Sequence, residues 1–191
     1  MNEKFEFTGE IKKVFGVTLQ QIRAKKDFAN VKKGEIGGWI EKESNLDVYG
    51  DAWVSGDACV YGDAQVYGDA CVYGDAQVYG DARVYGDAWV YGDARVYGDA
   101  QVYGDAWVCG GKWSVSPLFI QGSKYSICMY TNNKIKIGCQ IHTIKQWLSH
   151  GEAIAKAERF TPEEIEEYRW YVELAAKRYG TLDSTKEDKH E

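Results

Sequence analysis

The sequence predicts a mainly β protein: a short parallel β-helix with three strands per coil, an N-terminal cap and a small α+β C-terminal piece. Three observations carry this prediction. A six-residue unit, Val-Tyr-Gly-Asp-Ala-x, repeats ten times between Val48 and Trp107, with Ser55 the one departure from Tyr. The variable residue x sorts into distinct faces at a spacing of 18. The flanks lose the repeat and carry strand alternation and helix caps instead. Residues 1–45 are therefore expected to cap the solenoid of residues 46–111; residues 112–180 form the α+β piece, and 181–191 a disordered tail.

In chain order, residues 17–24 (VTLQQIRA) read as a short strand, and Gly34–Gly38 as a turn-rich approach to the repeat. Leu46 lies 18 residues before Ala64, so the first regular strand is expected at Leu46–Tyr49, with Ser44-Asn45 as its corner.

Within the repeat, a period of six excludes a helix, which needs apolar residues at three and four. Each unit holds an alternating Ala-x-Val-Tyr stretch. Alternate side chains of a strand face opposite ways, so Ala and Val point to the axis, and x and Tyr outward. Gly-Asp supplies the corner, because Gly accepts positive φ. At a spacing of 18, x reads Trp53/Cys71/Trp89/Trp107, then Cys59/Gln77/Arg95, then Gln65/Arg83/Gln101. One face is bulky and apolar, and one is wholly polar. A spacing of 12 sorts x almost as well but separates Ser55 from Cys109. Sixty residues at 18 per coil make about three coils.

After Gly111, three runs read as strands: Trp113–Ile120, Lys124–Tyr130 and Lys134–Ile137, the last two joined by a tight turn at Thr131-Asn132-Asn133. Cys128 and Cys139 read as core residues on facing strands. Thr143 with Gln146 marks a short helix through Trp147 and Leu148. A second helix has Thr161 as N-cap, Pro162 at its first position, Glu164 closing a capping box and Gly180 at its end. Its Ile165, Tyr168, Val172, Ala175 and Tyr179 share one face.

The 191 residues carry a net charge of −6. Residues 1–45 hold 9 bases and 7 acids, residues 46–111 hold 2 and 11, and residues 112–191 hold 12 and 11. The negative field belongs to the repeat. It disfavours nucleic acid as a direct ligand and favours basic partners or cations. No run of about 18 apolar residues is present, and the start, MNEKFEF, lacks a signal-like apolar stretch, so a cytoplasmic protein without a membrane partner is expected. The five cysteines form no CxxC pair and read as reduced thiols.

The repeat resembles the hexapeptide of left-handed parallel β-helices, with an aliphatic residue at one position and a small one four later. The lead-in from Asp27 to Leu46 (DFANVKKGEIGGWIEKESNL) is similar to that of small phage and prophage hexapeptide-repeat proteins. The resemblance covers about residues 17–112. It implies a left-handed, three-sided coil and self-association as a dimer or trimer. For a phage-encoded chain it implies residence in the host cytoplasm.

Enzymes of this superfamily, trimeric acyltransferases and γ-class carbonic anhydrases, work through histidine. Here His142, His150 and His190 all lie beyond the solenoid. That argues against a three-histidine zinc site. No catalytic residue, metal ligand or cofactor is assigned. An acyltransferase using coenzyme A, with His142 as base, remains the alternative reading.

Two sets of residues form the candidate binding surface. Trp53, Trp89 and Trp107, with Tyr73 and Tyr91, make an outward aromatic patch, and such patches are seldom left in water. A cover from the second helix or a symmetry mate is the structural reading of that patch. Asp51, Asp69, Asp87 and Asp105 form a carboxylate column at one corner. They serve as turn residues; calcium binding and mimicry of DNA phosphates are the further readings. The expected function is a non-catalytic interaction protein, an inhibitor of a host defence or nucleic-acid-binding protein.

Overall fold

The computed structural model describes residues 2–180. The tail expected over 181–191 lies outside the described residues. Strands β1 (Phe5–Val14), β2 (Val17–Ala24) and β3 (Ile36–Ile40) open the chain. Ten two-residue strands follow: β4 (Trp53–Val54), β5 (Cys59–Val60), β6 (Gln65–Val66), β7 (Cys71–Val72), β8 (Gln77–Val78), β9 (Arg83–Val84), β10 (Trp89–Val90), β11 (Arg95–Val96), β12 (Gln101–Val102) and β13 (Trp107–Val108). Then come β14 (Lys112–Trp113), β15 (Phe119–Gln121), β16 (Ser126–Thr131), β17 (Lys134–Ile137), β18 (Gln140–Thr143), α1 (Ile144–Ala157) and α2 (Pro162–Tyr179).

The repeat winds into a parallel β-solenoid of about four turns. Its three sheets run β3-β5-β8-β11-β14, β4-β7-β10-β13 and β6-β9-β12, and β1 and β2 extend the first as an antiparallel flap. The register is 18: Trp53 pairs with Cys71, Cys71 with Trp89 and Trp89 with Trp107. Val54 through Val108 and Ala52 through Ala106 fill the axis at no more than 1% exposure. Tyrosines stack outside. Tyr61, Tyr79 and Tyr97 follow one another at 5.0 and 5.1 Å, and Tyr73 stacks on Tyr91 at 4.9 Å. The hexapeptide tracks sheet geometry because coil spacing and ring-stacking distance nearly coincide. At Gly80 the corner φ is +71°, and a Cβ there would lie 3.0 Å from the Gly98 nitrogen, so both backbone and stack demand glycine.

The ends differ from the sequence reading. The coil count rises from three to about four because β3 and β14 continue the ladders. Leu46 bridges Val66, 20 residues on, so it fills a valine position, and Leu46–Tyr49 forms no strand. Its neighbour Asn45, fully buried, donates from Nδ2 to the Gly62 and Ala64 carbonyls at 3.0 and 2.8 Å, a side chain replacing the missing lower coil. At the top, Gly110-Gly111 shorten one unit, so Arg95 pairs with Lys112 after 17 residues. Trp113 then takes a valine position and plugs the axis, its Nε1 donating to the Gly110 carbonyl at 2.9 Å.

The strand expected over Trp113–Ile120 is broken after Trp113, because Pro117 cannot donate to a ladder and Ser116 turns its Oγ onto the Gln101 amide at 3.0 Å. The run from Lys124 becomes β16, and β15-β16-β17-β18 form an antiparallel sheet. Cys128 is buried, but Cys139 is exposed in the β17–β18 turn, so the two do not face each other in a core. The Thr143 capping box is present, and α1 continues past Leu148 to Ala157. Thr161, Pro162, Glu164 and Gly180 bound α2 as the sequence predicts.

Candidate interaction surface of the solenoid

The tryptophan sheet carries the candidate aromatic residues, but they have three different fates. Trp53 is only 4% exposed. Phe28 meets its ring edge-on at 5.4 Å, and Gly37 lies against it, since a Cβ there would be 2.6 Å from the indole. Trp53 thus belongs to the core under the N-terminal cap and is removed from the surface. Trp107 is half-buried. Lys136 of β17 lies 4.5 Å from its ring centroid, and its amide faces Cys128 Sγ at 3.5 Å. Trp89 is 36% exposed.

Trp89 is nonetheless held. Its ring stacks on Trp107 at 5.1 Å and 9°, and Tyr73 meets it edge-on at 5.7 Å. Tyr91 stacks on Tyr73, and its hydroxyl donates to Tyr130 Oη at 2.9 Å. Burial raises the Tyr73 and Tyr91 phenols above their ordinary range, and the Tyr130 hydrogen bond adds to the Tyr91 shift. The cover over this sheet therefore comes from Phe28 and Gly37 at one end and from β16 and β17 at the other. Helix α2 packs elsewhere, its Tyr179 against Trp113 and its Tyr168 on the Tyr125 backbone.

Asp51, Asp69, Asp87 and Asp105 are all exposed at the corner leading into the tryptophan sheet. The Asp51 amide donates to Asp69 Oδ1 at 3.2 Å, consistent with a turn role. The N-terminal cap brings a lysine to each lower corner. Lys12 pairs with Asp57 at 3.6 Å and Lys42 with Asp63 at 2.7 Å. Buried Lys4 donates to the Asp47 carbonyl at 3.0 Å, and Asp47, Asp51 and Asp69 act on its charge. Higher up, Asp87 and Asp105 make no ion pair among the described residues. Among those residues no group of three or more His, Cys, Asp or Glu is placed to hold a metal ion, and no helix is long and apolar enough to cross a membrane.

His142 sits on β18, the far edge of the C-terminal sheet. Its Nε2 lies 3.3 Å from Gln140 Oε1 and its ring meets Trp147 edge-on, so its partners belong to the C-terminal piece. Lys136 and Tyr130 complete the tryptophan surface and were not visible as such in the sequence. Alternation in Lys134–Ile137 puts Lys136 outward, but nothing local says it meets Trp107.

The chain matches the YdcK beta solenoid repeat over residues 64–77, 76–92, 88–104 and 94–110. No curated protein is a significant match to the chain. The match is to a β-solenoid repeat, in agreement with the parallel coils.

Proposed function

We propose that this is a non-catalytic interaction protein that grips a basic protein partner with the acidic, aromatic upper part of the solenoid. The observation that carries the reading is Trp89: a third exposed, yet fixed between Trp107 and Tyr73. A large aromatic already held in place loses little freedom on binding, which favours it as an anchor. Asp69, Asp87 and Asp105 beside it supply charge that Lys or Arg on a partner would meet. Nucleic-acid-binding proteins present such basic surfaces. The lead-in from Asp27 to Leu46 and its similarity to phage hexapeptide-repeat proteins extend the reading to a left-handed coil, a dimer or trimer, and interference with a host protein in the host cytoplasm.

The test is affinity capture with the full chain, followed by titration of the captured partner. Trp89→Ala, and separately Asp87→Lys with Asp105→Lys, should each weaken the complex at least tenfold. Binding should also fall as salt rises. A complex indifferent to both variants would place the contact elsewhere. Sedimentation of the free chain measures self-association.

A further inference from the structure

The C-terminal piece holds a cavity that shares no lining residue with the tryptophan sheet and does not depend on the proposed function. Helices α1 and α2 and the β17–β18 turn line a cavity of about 550 Å³. That volume suits a small organic ligand. Its walls are apolar, with Ile137, Trp147, Ile154, Phe160 and Val172 among them. Its charged groups are mostly acidic: Glu152, Glu158 and Glu173 against Arg169. Arg169 is already held by Glu152 at 3.1 Å, and Glu158 accepts from Gln140 Nε2 at 2.8 Å. Glu173 makes no ion pair among the described residues.

Gly151 lies in the interior of α1 and lines the cavity. Glycine there costs the helix about 1 kcal/mol against alanine. Packing does not require it, because a Cβ would meet only Trp147, at an ordinary 3.5 Å. Its effect is to leave the wall open.

We infer that this pocket binds an organic cation with an apolar body: the body lies against Trp147 and Val172, and a protonated amine faces Glu158 and Glu173. An anion of the same shape would meet the Glu158 and Glu173 carboxylates, while Arg169 is engaged by Glu152, which Lys156 also pairs at 2.7 Å.

The experiment titrates the full chain with 2-naphthylmethylamine and with 2-naphthoate, two probes of one shape and opposite charge, by calorimetry. The amine should bind at one site, roughly tenfold or more tighter than the carboxylate, as expected for one extra charge contact near a surface. Gly151→Leu should abolish binding, whereas Gly151→Ala should keep it and raise the melting temperature. Glu158→Lys with Glu173→Lys should reverse the preference, a result that does not depend on how Gly151→Leu folds. Equal affinity for the two probes would overturn the assignment, as would amine binding that survives Gly151→Leu. So would a dimer that Gly151→Leu disperses and the amine does not, which would make a second copy the occupant. A basic amphipathic peptide that binds where the amine fails would likewise overturn it in favour of a peptide groove.

Discussion

The indoles of Trp89 and Trp107 lie 5.1 Å apart and 9° from parallel, continuing outside the coil the same register that Val90 and Val108 follow inside it. Trp53, two coils below Trp89 with Cys71 between them, shares that register and is almost wholly buried. Identical positions of one repeat therefore carry opposite roles, and substitution separates them. Trp53→Ala should destabilise by about 3–5 kcal/mol, as for a large core side chain. Trp89→Ala should cost about 1 kcal/mol, mainly the lost stacking. Urea unfolding of the two variants measures both.

Asn45 stands in for a missing coil. Asn45→Ala leaves the Gly62 and Ala64 carbonyls without their buried donor and should cost about 1–3 kcal/mol. Asn45→Asp should be worse, because it keeps the acceptor for the Lys42 amide but turns a carboxylate toward two carbonyls. Equal losses in thermal unfolding would show that the carboxylate costs nothing beyond the donors that both variants lose.

The left-handed glycines answer to their neighbours, in the cap as at the solenoid corners. Gly34, at φ +88°, has open space around it, so Gly34→Ala should carry only the left-handed strain of about 1–2 kcal/mol. Gly80→Ala adds the 3.0 Å approach to Gly98 and should lose more. Paired denaturant curves give the difference.

Lys4 gives the cap a pH signature. Burial pulls its ammonium down from 10.5 to about 8. From pH 8 toward 10.5 the unfolded chain binds a proton that the folded one has released, so stability rises with pH there, by at most about 3 kcal/mol. Tyr61, raised to about 12 by burial, works the other way above pH 10: the unfolded phenol ionises first, and stability falls. Burial also raises the Cys59, Cys71 and Cys128 thiols above their ordinary 9.0, so they act with Tyr61, and melting temperature should climb from pH 8 and turn over near 9. Lys4→Met should remove the climb and keep the fall.

The wound sheet is legible in the order of residues alone. The period of six, the valine and alanine rows and the 18-residue sorting of x are local and repeated, and each unit meets a copy of itself, so pairing follows from the pattern. The caps of α2 were equally legible, because Thr161, Pro162, Glu164 and Gly180 act within one turn of chain. Which outward rings meet water depends on long-range packing. Phe28 covers Trp53 from 25 residues away in sequence, and Lys136 reaches Trp107 from 29. The cavity lined by α1, α2 and the β17–β18 turn likewise needs all three brought together, which neither helix encodes in its own periodicity. A repeat specifies its contacts with itself, whereas its ends and covers are set by segments with no counterpart in the repeat.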